Sequence, residues 1–345
     1  MSAFPRLPAL YWPLKTEPHP DSDAVDADAV RWMRSFPGHL RQVGMHKLLT
    51  ERLGAAMAHC LPNADPHRLR LVARAGLLGT AMDDWFESLD SLAEVVAATS
   101  ACQRAWEAPG MPLPDMPYAA ALREVVADIR ALASAVHYER IVAANCMYHQ
   151  AVPWETALRA HGAVLDQNTY AVMRTRTIGW AVILAYLEFG TDIDLPEQEA
   201  ADPALRALRE ASGFLLAGFN DLASAAKEAD GPAARTGLPA VLMAAYACGP
   251  VEAVSRAIDM LNRVTLLYIR LRSGLERRAG TRLRRYLAAL DTALGNLTLF
   301  QAGCTRYTAT SGDRTPLRPE FTSSPPIGLD PGPLPIPAIA WWWEQ

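Results

Sequence analysis

Two clusters of oxygen-bearing side chains have a spacing that suits a hard divalent cation. The first is Asp83-Asp84-Trp85-Phe86-Glu87, at the end of an almost wholly apolar helical stretch. Asp83 and Glu87 are four residues apart and share a helix face, while Asp84 sits about 100° around the axis. Carboxylates gathered at such a place repel one another and are costly to bury unless a cation balances them. Taken alone, an acidic pair of this kind is weak evidence, since most such strings are solvated helix surface. The second cluster is Asn220, Ser224 and Glu228, spaced i, i+4, i+8, which puts three oxygen donors along one helical face. An amide oxygen, a hydroxyl and a carboxylate suit Mg²⁺ and make a poor zinc site. Lys227 beside them offers a point charge to a phosphate. A purely structural account also exists, in which Asn220-Asp221 caps a helix and Ser224 bonds back to it.

The elements that must position these residues are helices. From about residue 24 to residue 307 the chain is rich in Ala, Leu, Arg and Glu, with apolar residues at three- and four-residue spacing. The spacing predicts helices over 30–41, 66–89, 91–106, 119–148, 154–160, 169–187, 203–229, 239–247, 251–270 and 277–305. Proline and glycine cluster between them, at 109–117, 190–203, 231–239 and 249–250. Runs of alternating Val, Ile and Thr that would mark strands are absent, and no internal repeat or dividing linker is seen. The expectation is one all-α domain over 23–307. Residues 1–22 carry five prolines and read as an extended segment packed on the surface. Residues 308–345 carry eight prolines, read as a flexible tail, and predict that truncation after about Thr310 barely changes the thermal midpoint.

Composition narrows the function. The chain has 345 residues, half of them apolar, and a net charge of −4, so it can bury a sizeable core and shows no nucleic-acid footprint. Its five cysteines, Cys60, Cys102, Cys146, Cys248 and Cys304, are scattered and read as free thiols. The longest apolar stretch, 178–187, is too short to span a bilayer, and no basic-then-apolar leader opens the chain. A cytoplasmic protein is expected. Cys146 and His149 are three apart but lack two further metal ligands. The basic run Arg277, Arg278, Arg282, Arg284, Arg285 has no interleaved aromatics. No glycine-rich nucleotide motif is present.

Asn220, Ser224, Lys227 and Glu228 resemble the NDxxSxxKE metal-binding triad of microbial class I terpene synthases, and Asp83-Asp84-Trp85-Phe86-Glu87 resembles that family's aspartate-rich motif. Arg174, 46 residues before Asn220, stands where the family has its diphosphate-sensing arginine. Thr177, Ile178 and Gly179 fall at its helix break and effector, and Arg306-Tyr307 resembles its C-terminal Arg-Tyr pair. These motifs cover 83–307 in the family's order. The chain departs from it in ending the acidic motif with Glu87, in lacking aromatics at Leu78, Thr80 and Ala81, and in carrying Phe300 where a tryptophan is usual.

The resemblance implies a single-domain helical bundle with its site in a central apolar cavity, and a metal-dependent cyclase of a linear isoprenyl diphosphate. It implies three Mg²⁺ ions, with Mn²⁺ as a substitute, held by Asp83, Asp84 and Glu87 on one side and Asn220, Ser224 and Glu228 on the other. Arg174, Lys227, Arg306 and Tyr307 would hold the diphosphate. Phe86, Trp180, Phe219 and Phe300 are the candidate aromatic walls for a carbocation. The expected substrate is farnesyl diphosphate, giving a sesquiterpene; the alternative is geranylgeranyl diphosphate and a diterpene. A chain-elongating prenyltransferase would need a second aspartate-rich motif, and a non-catalytic scaffold would not need a competent residue at every metal and diphosphate position. A monomer or homodimer is expected, with no nucleic-acid partner.

Overall fold

The computed structural model describes residues 8–36, 38–39, 42, 44–162, 164–228, 235–304, 306 and 320–345, the side chains of 226–228 excepted. In chain order the elements are β1 (Leu10–Tyr11), α1 (Ser22–Arg34), α2 (Met45–Leu48), α3 (Leu53–Cys60), α4 (Pro66–Glu87), α5 (Leu92–Glu107) and α6 (Ala119–Leu132). Then follow α7 (Ala135–Ala160), α8 (Gln167–Thr177), α9 (Trp180–Thr191), α10 (Glu197–Ala200), α11 (Pro203–Glu228) and α12 (Leu238–Tyr246). The chain closes with α13 (Pro250–Arg278), α14 (Thr281–Gly303), β2 (Phe321–Thr322), α15 (Pro337–Ala340) and a 3₁₀ turn at Trp341–Glu344.

Local chemistry sets where the site-bearing helices begin. Asp65 caps α4 by accepting from the backbone N–H of His67 and Arg68, with Pro66 in the first turn. Ser91 and Glu94 form a capping box on α5, and Asp166 caps α8 through the N–H groups of Asn168 and Thr169. Ser134 caps α7, so the stretch expected as one helix over 119–148 is two, broken at Ala133. Conversely α7 runs straight through Pro153 to Ala160. An interior proline costs about 3 kcal/mol of helix stability, and the burial of α7 against α5 and α9 outweighs it.

The helices form one bundle. α7 packs on α5, α8 and α9, while α11 packs on α13, α14 and α8. Trp180, Tyr170, Tyr268, Tyr286, Phe189 and Phe214 are among its fully buried side chains. Among the described residues no single helix is long and apolar enough to cross a membrane. All five cysteines are free thiols.

The expected flexible tail is corrected for residues 320–345. Phe321–Thr322 pairs in parallel with Leu10–Tyr11, a two-residue ladder too short to leave a strand signal. The chain then crosses α13, where Arg263 Nη2 donates to the carbonyls of Gly332 and Pro333 at 2.9 Å. It ends with Leu334, Ile336, Ile339 and Trp342 fully buried. Proline density excludes helix but does not exclude packing. Each such apolar side chain contributes about 1.5–3 kcal/mol by burial. Truncation after Thr310 is therefore expected to lower the thermal midpoint by on the order of 10 °C, readable by calorimetry; an unchanged midpoint would restore the flexible-tail reading.

Candidate active site

α4, α7, α8, α9 and α11 enclose a cavity of about 300 Å³ that brings together residues far apart in sequence. Its polar lining is Asp83, Glu87, Glu155, Arg159, Arg174, Asn220, Asp221 and Arg306, several of them tied to one another by ion pairs. Its apolar lining includes Met57, Ala75, Leu78, Met82, Leu122, Val125, Val182 and Ile183. Asp83 and Asn220, expected on facing helices, thus open on one space.

The acidic motif divides its labour. Asp83 Oδ1 accepts from the Tyr148 hydroxyl at 2.5 Å. Burial first, and then the neighbouring Glu87 carboxylate, push the Asp83 pKa up to about 7, although the Tyr148 bond pulls it down. Asp84, around the helix, is held by the Arg306 guanidinium, which donates from Nη1 to Oδ2 at 3.1 Å and pairs again through Nη2. Arg306 also donates to Glu51 Oε2 at 3.2 Å. Glu87, more exposed, accepts from Arg159 Nη1 at 3.1 Å.

On α11, Asn220 Oδ1 accepts from Arg174 Nη2 at 3.3 Å. One turn on, Ser224 is 1% exposed and its hydroxyl has no hydrogen-bond partner among the described residues. The structural alternative, with Ser224 bonding back to its own helix, is therefore not what the geometry shows. The side chains of Lys227 and Glu228 lie outside the described residues, as does all of Tyr307.

Arg174 sits in the last turn of α8 and spans three acceptors. Nη2 donates to Asp221 Oδ1 at 2.7 Å as well as to Asn220, and Nη1 donates to Thr177 Oγ1 at 3.1 Å. Burial opposes its charge, but the carboxylates of Asp221 and Glu155 hold the guanidinium protonated, above its ordinary range. The stretch read by spacing as one helix over 169–187 is two, broken where the resemblance implied. α8 ends at Thr177, Ile178 caps it, and Gly179 has φ +72°, a left-handed conformation in which a side chain is strained. Thr177, Ile178 and Gly179 all line the cavity. Arg176 turns away and donates to the Val172 carbonyl at 2.6 Å.

The aromatic wall is not the expected one. Trp180 is buried with its indole N–H on Ser212, and Phe219 packs against Phe321. Phe86 is buried edge-on to His149, and Phe300 is half-buried outside the cavity lining. Among the described residues Trp106, Tyr148 and Tyr186 line it instead. His149 also lines it, as neutral imidazole, because burial lowers its pKa to about 4. Cys146 is on another face and donates to Glu107 at 3.5 Å, so the Cys146/His149 pair is no metal site.

Sequence reasoning missed Tyr148, Glu155, Arg159 and Asp221. Asp221 was adjacent to a chosen residue, and Glu155 with Arg159 had an i, i+4 charge spacing that a search for buried pairs could have found. Glu51 had no signal in the sequence.

The donors fit a hard divalent ion. They are oxygen groups, one a buried hydroxyl with no protein partner and another a carboxyl raised by burial beside a like charge. Among the described residues no three His, Cys, Asp or Glu side chains gather as a metal site, and the oxygen donors named lie on two helices, α4 and α11.

Comparison with known proteins agrees with this chemistry. Residues 75–265, more than half of the chain, match the family described as terpene synthase family 2, C-terminal metal binding. The bonnadiene synthase of Allokutzneria albata is 28% identical, with 98% of this chain and 97% of that protein covered. A (+)-T-muurolol synthase of Streptomyces clavuligerus, described as (2E,6E)-farnesyl diphosphate cyclizing, is 25% identical over 97% of this chain and 81% of its own length. The crystal structure of SVS_A2, from ancestral sequence reconstruction, superposes with a TM-score of 0.82 at 26% identity, covering 98% of this chain and 99% of that one. The chain belongs to the terpene synthase family, as a bacterial-type class I enzyme that cyclises a prenyl diphosphate with a divalent metal.

Proposed function

We propose that the substrate is farnesyl diphosphate, that the metal is Mg²⁺ in three ions, and that the product is a cyclic sesquiterpene. The observation that carries the site assignment is that Asp83, Arg174 and Asn220 line one cavity together with a large set of apolar side chains. Asp83 on α4, and Asn220, Ser224 and Glu228 on α11, would hold the metal, with Asp84 and Glu87 as further carboxylates of the acidic motif. Bound there, the metal supplies Lewis-acid neutralisation of the leaving diphosphate. Arg174, Lys227, Arg306 and Tyr307 would donate charge-assisted hydrogen bonds to its oxygens. The allylic C–O bond breaks with its electron pair leaving on oxygen, and the carbocation remains among apolar side chains that exclude water. Trp106, Tyr148 and Tyr186 are the rings placed to stabilise it. The T-muurolol synthase described as farnesyl diphosphate cyclizing supports the C15 reading.

A second reading, a C20 substrate, is favoured by one wall of the cavity. Ala75, Gly76 and Gly79 line it on consecutive turns of α4, and a Cβ added at Gly79 would meet nothing within 4 Å. Incubation with farnesyl and geranylgeranyl diphosphates in Mg²⁺, followed by gas chromatography, distinguishes the readings. A cyclic C15 product is expected; a cyclic C20 product alone would move the assignment to the second, and acyclic alcohols alone would overturn cyclase chemistry at this site. Gly79→Leu raises helix propensity within α4 and fills the open wall. It is expected to cut any C20 turnover by on the order of 10-fold relative to C15, as a misfitting pocket does; an unchanged ratio would remove this wall from length selection.

A further inference from the structure

The last nine residues do more than cover apolar surface, because they sit on α8 and α11, two of the helices whose polar side chains line the cavity. Trp342 is fully buried and its ring meets Phe214 of α11 edge-on, with centroids 6.0 Å apart. Phe214 in turn meets Tyr170 of α8 edge-on at 6.1 Å. The Tyr170 hydroxyl donates to Asp221 Oδ2 at 2.7 Å, and the other oxygen of that carboxylate accepts from Arg174 at 2.7 Å. Asp221 Oδ2 also accepts from the Leu238 N–H at 2.8 Å, so one buried carboxylate fixes the guanidinium and the start of α12. The tail is tied to both helices directly as well: Asn168 at the start of α8 accepts from the Ala338 N–H at 2.7 Å, and Trp342 Nε1 donates to Glu210 of α11 at 3.0 Å.

We propose that Trp342 is a positioning residue for diphosphate recognition: it clamps α8 against α11 through Phe214 and Tyr170, and so holds Arg174 in place by way of Asp221. The clamp rests on the reading of Arg174 as a diphosphate donor. Rings packed edge-on at a core site have few alternative arrangements, and a hydrogen bond from the last ring fixes the carboxylate beyond it. A tail that merely covered surface would make no bond to Asn168 and would not share a ring stack with the residue that orients Asp221.

The test uses the full chain with Trp342→Ala, Trp342→Phe, Asn168→Ala and Arg174→Lys. The readouts are affinity for inorganic pyrophosphate in Mg²⁺, and amide hydrogen exchange of residues 167–177 with 92–107 as the internal reference. Trp342→Ala is expected to weaken pyrophosphate binding on the order of tenfold, the scale of coupling carried through a packed network. It should also speed exchange in 167–177 while 92–107 stays as in wild type. Trp342→Phe restores both, and Asn168→Ala, which empties no core site, gives a smaller change in the same direction. Unchanged pyrophosphate affinity, or exchange that rises equally in both segments, would overturn the proposal and leave the tail a general stabiliser. Pyrophosphate affinity that survives Arg174→Lys would instead overturn the diphosphate reading of Arg174, while exchange in 167–177 still reports whether the tail clamps α8.

Discussion

Ser224→Ala is expected to leave the thermal midpoint at or slightly above its wild-type value while turnover falls by on the order of 10²-fold or more. The two halves of this result come from one observation. Ser224 is 1% exposed on α11 and its hydroxyl has no partner among the described residues. A buried hydroxyl without a hydrogen bond costs about 1–3 kcal/mol, and alanine is the better helix former by about 0.5 kcal/mol. For folding alone, alanine is therefore the better residue. A buried hydroxyl without a protein partner is available to an ion, and the use consistent with Asn220 one turn before it is metal ligation. Thermal unfolding and steady-state turnover at limiting Mg²⁺ check the prediction together. Full activity at limiting Mg²⁺ would remove Ser224 from the ligand set. A marked fall in the midpoint would show instead that the hydroxyl has a structural partner.

The parts legible in the sequence were those whose geometry is set within a helical turn or two. Asp83 and Glu87 share a face because the helix dictates it, and Asp84 departs from that face for the same reason, which is why it meets Arg306 and not Tyr148. The spacing alone ran one helix over 169–187; the break at Thr177–Gly179 was legible only through the family resemblance, with Gly179 the residue that can take a positive φ, as it does. What was not legible depends on partners far along the chain. Pro-rich composition gave no hint that Trp342 would find Phe214, 128 positions earlier, or that Glu51 would accept from Arg306. The aromatic wall failed for a related reason. Periodicity says that Phe86, Trp180 and Phe219 are inside, but not which of two interiors they face, the packed core or the cavity. Tyr148, Trp106 and Tyr186 are no more apolar by type; they line the cavity because α5, α7 and α9 are rotated to present them.

Arg174→Lys is expected to lower turnover by on the order of 10²-fold or more, as losing a preorganised charge-stabilising donor does, whereas Arg176→Lys stays within a few-fold of wild type. Both changes keep a positive charge on the last turn of the same helix, so charge alone does not separate them. Geometry does. The Arg174 guanidinium reaches Asp221 and Asn220 with one nitrogen and Thr177 with the other, which places a planar fork between α11 and the helix break. A lysine ammonium reaches one of these at a time and cannot keep both Asp221 and Thr177. Asp221, 4% exposed, would still have the Tyr170 hydroxyl and the Leu238 N–H, so the buried carboxylate is not stranded and the fold should hold. Arg176 donates to the Val172 carbonyl within its own helix and lines no part of the cavity, so its replacement perturbs a local bond only. Turnover of the two variants at saturating substrate, each normalised to folded protein by circular dichroism, makes the comparison. Equal effects would mean that α8 contributes only net charge to the site; a larger loss for Arg176→Lys would mean that the helix turns on substrate binding and presents its other face. In either case Arg174 would cease to be the donor that links the diphosphate to the break at Gly179, and Ile178 would lose its place as the residue moved by it.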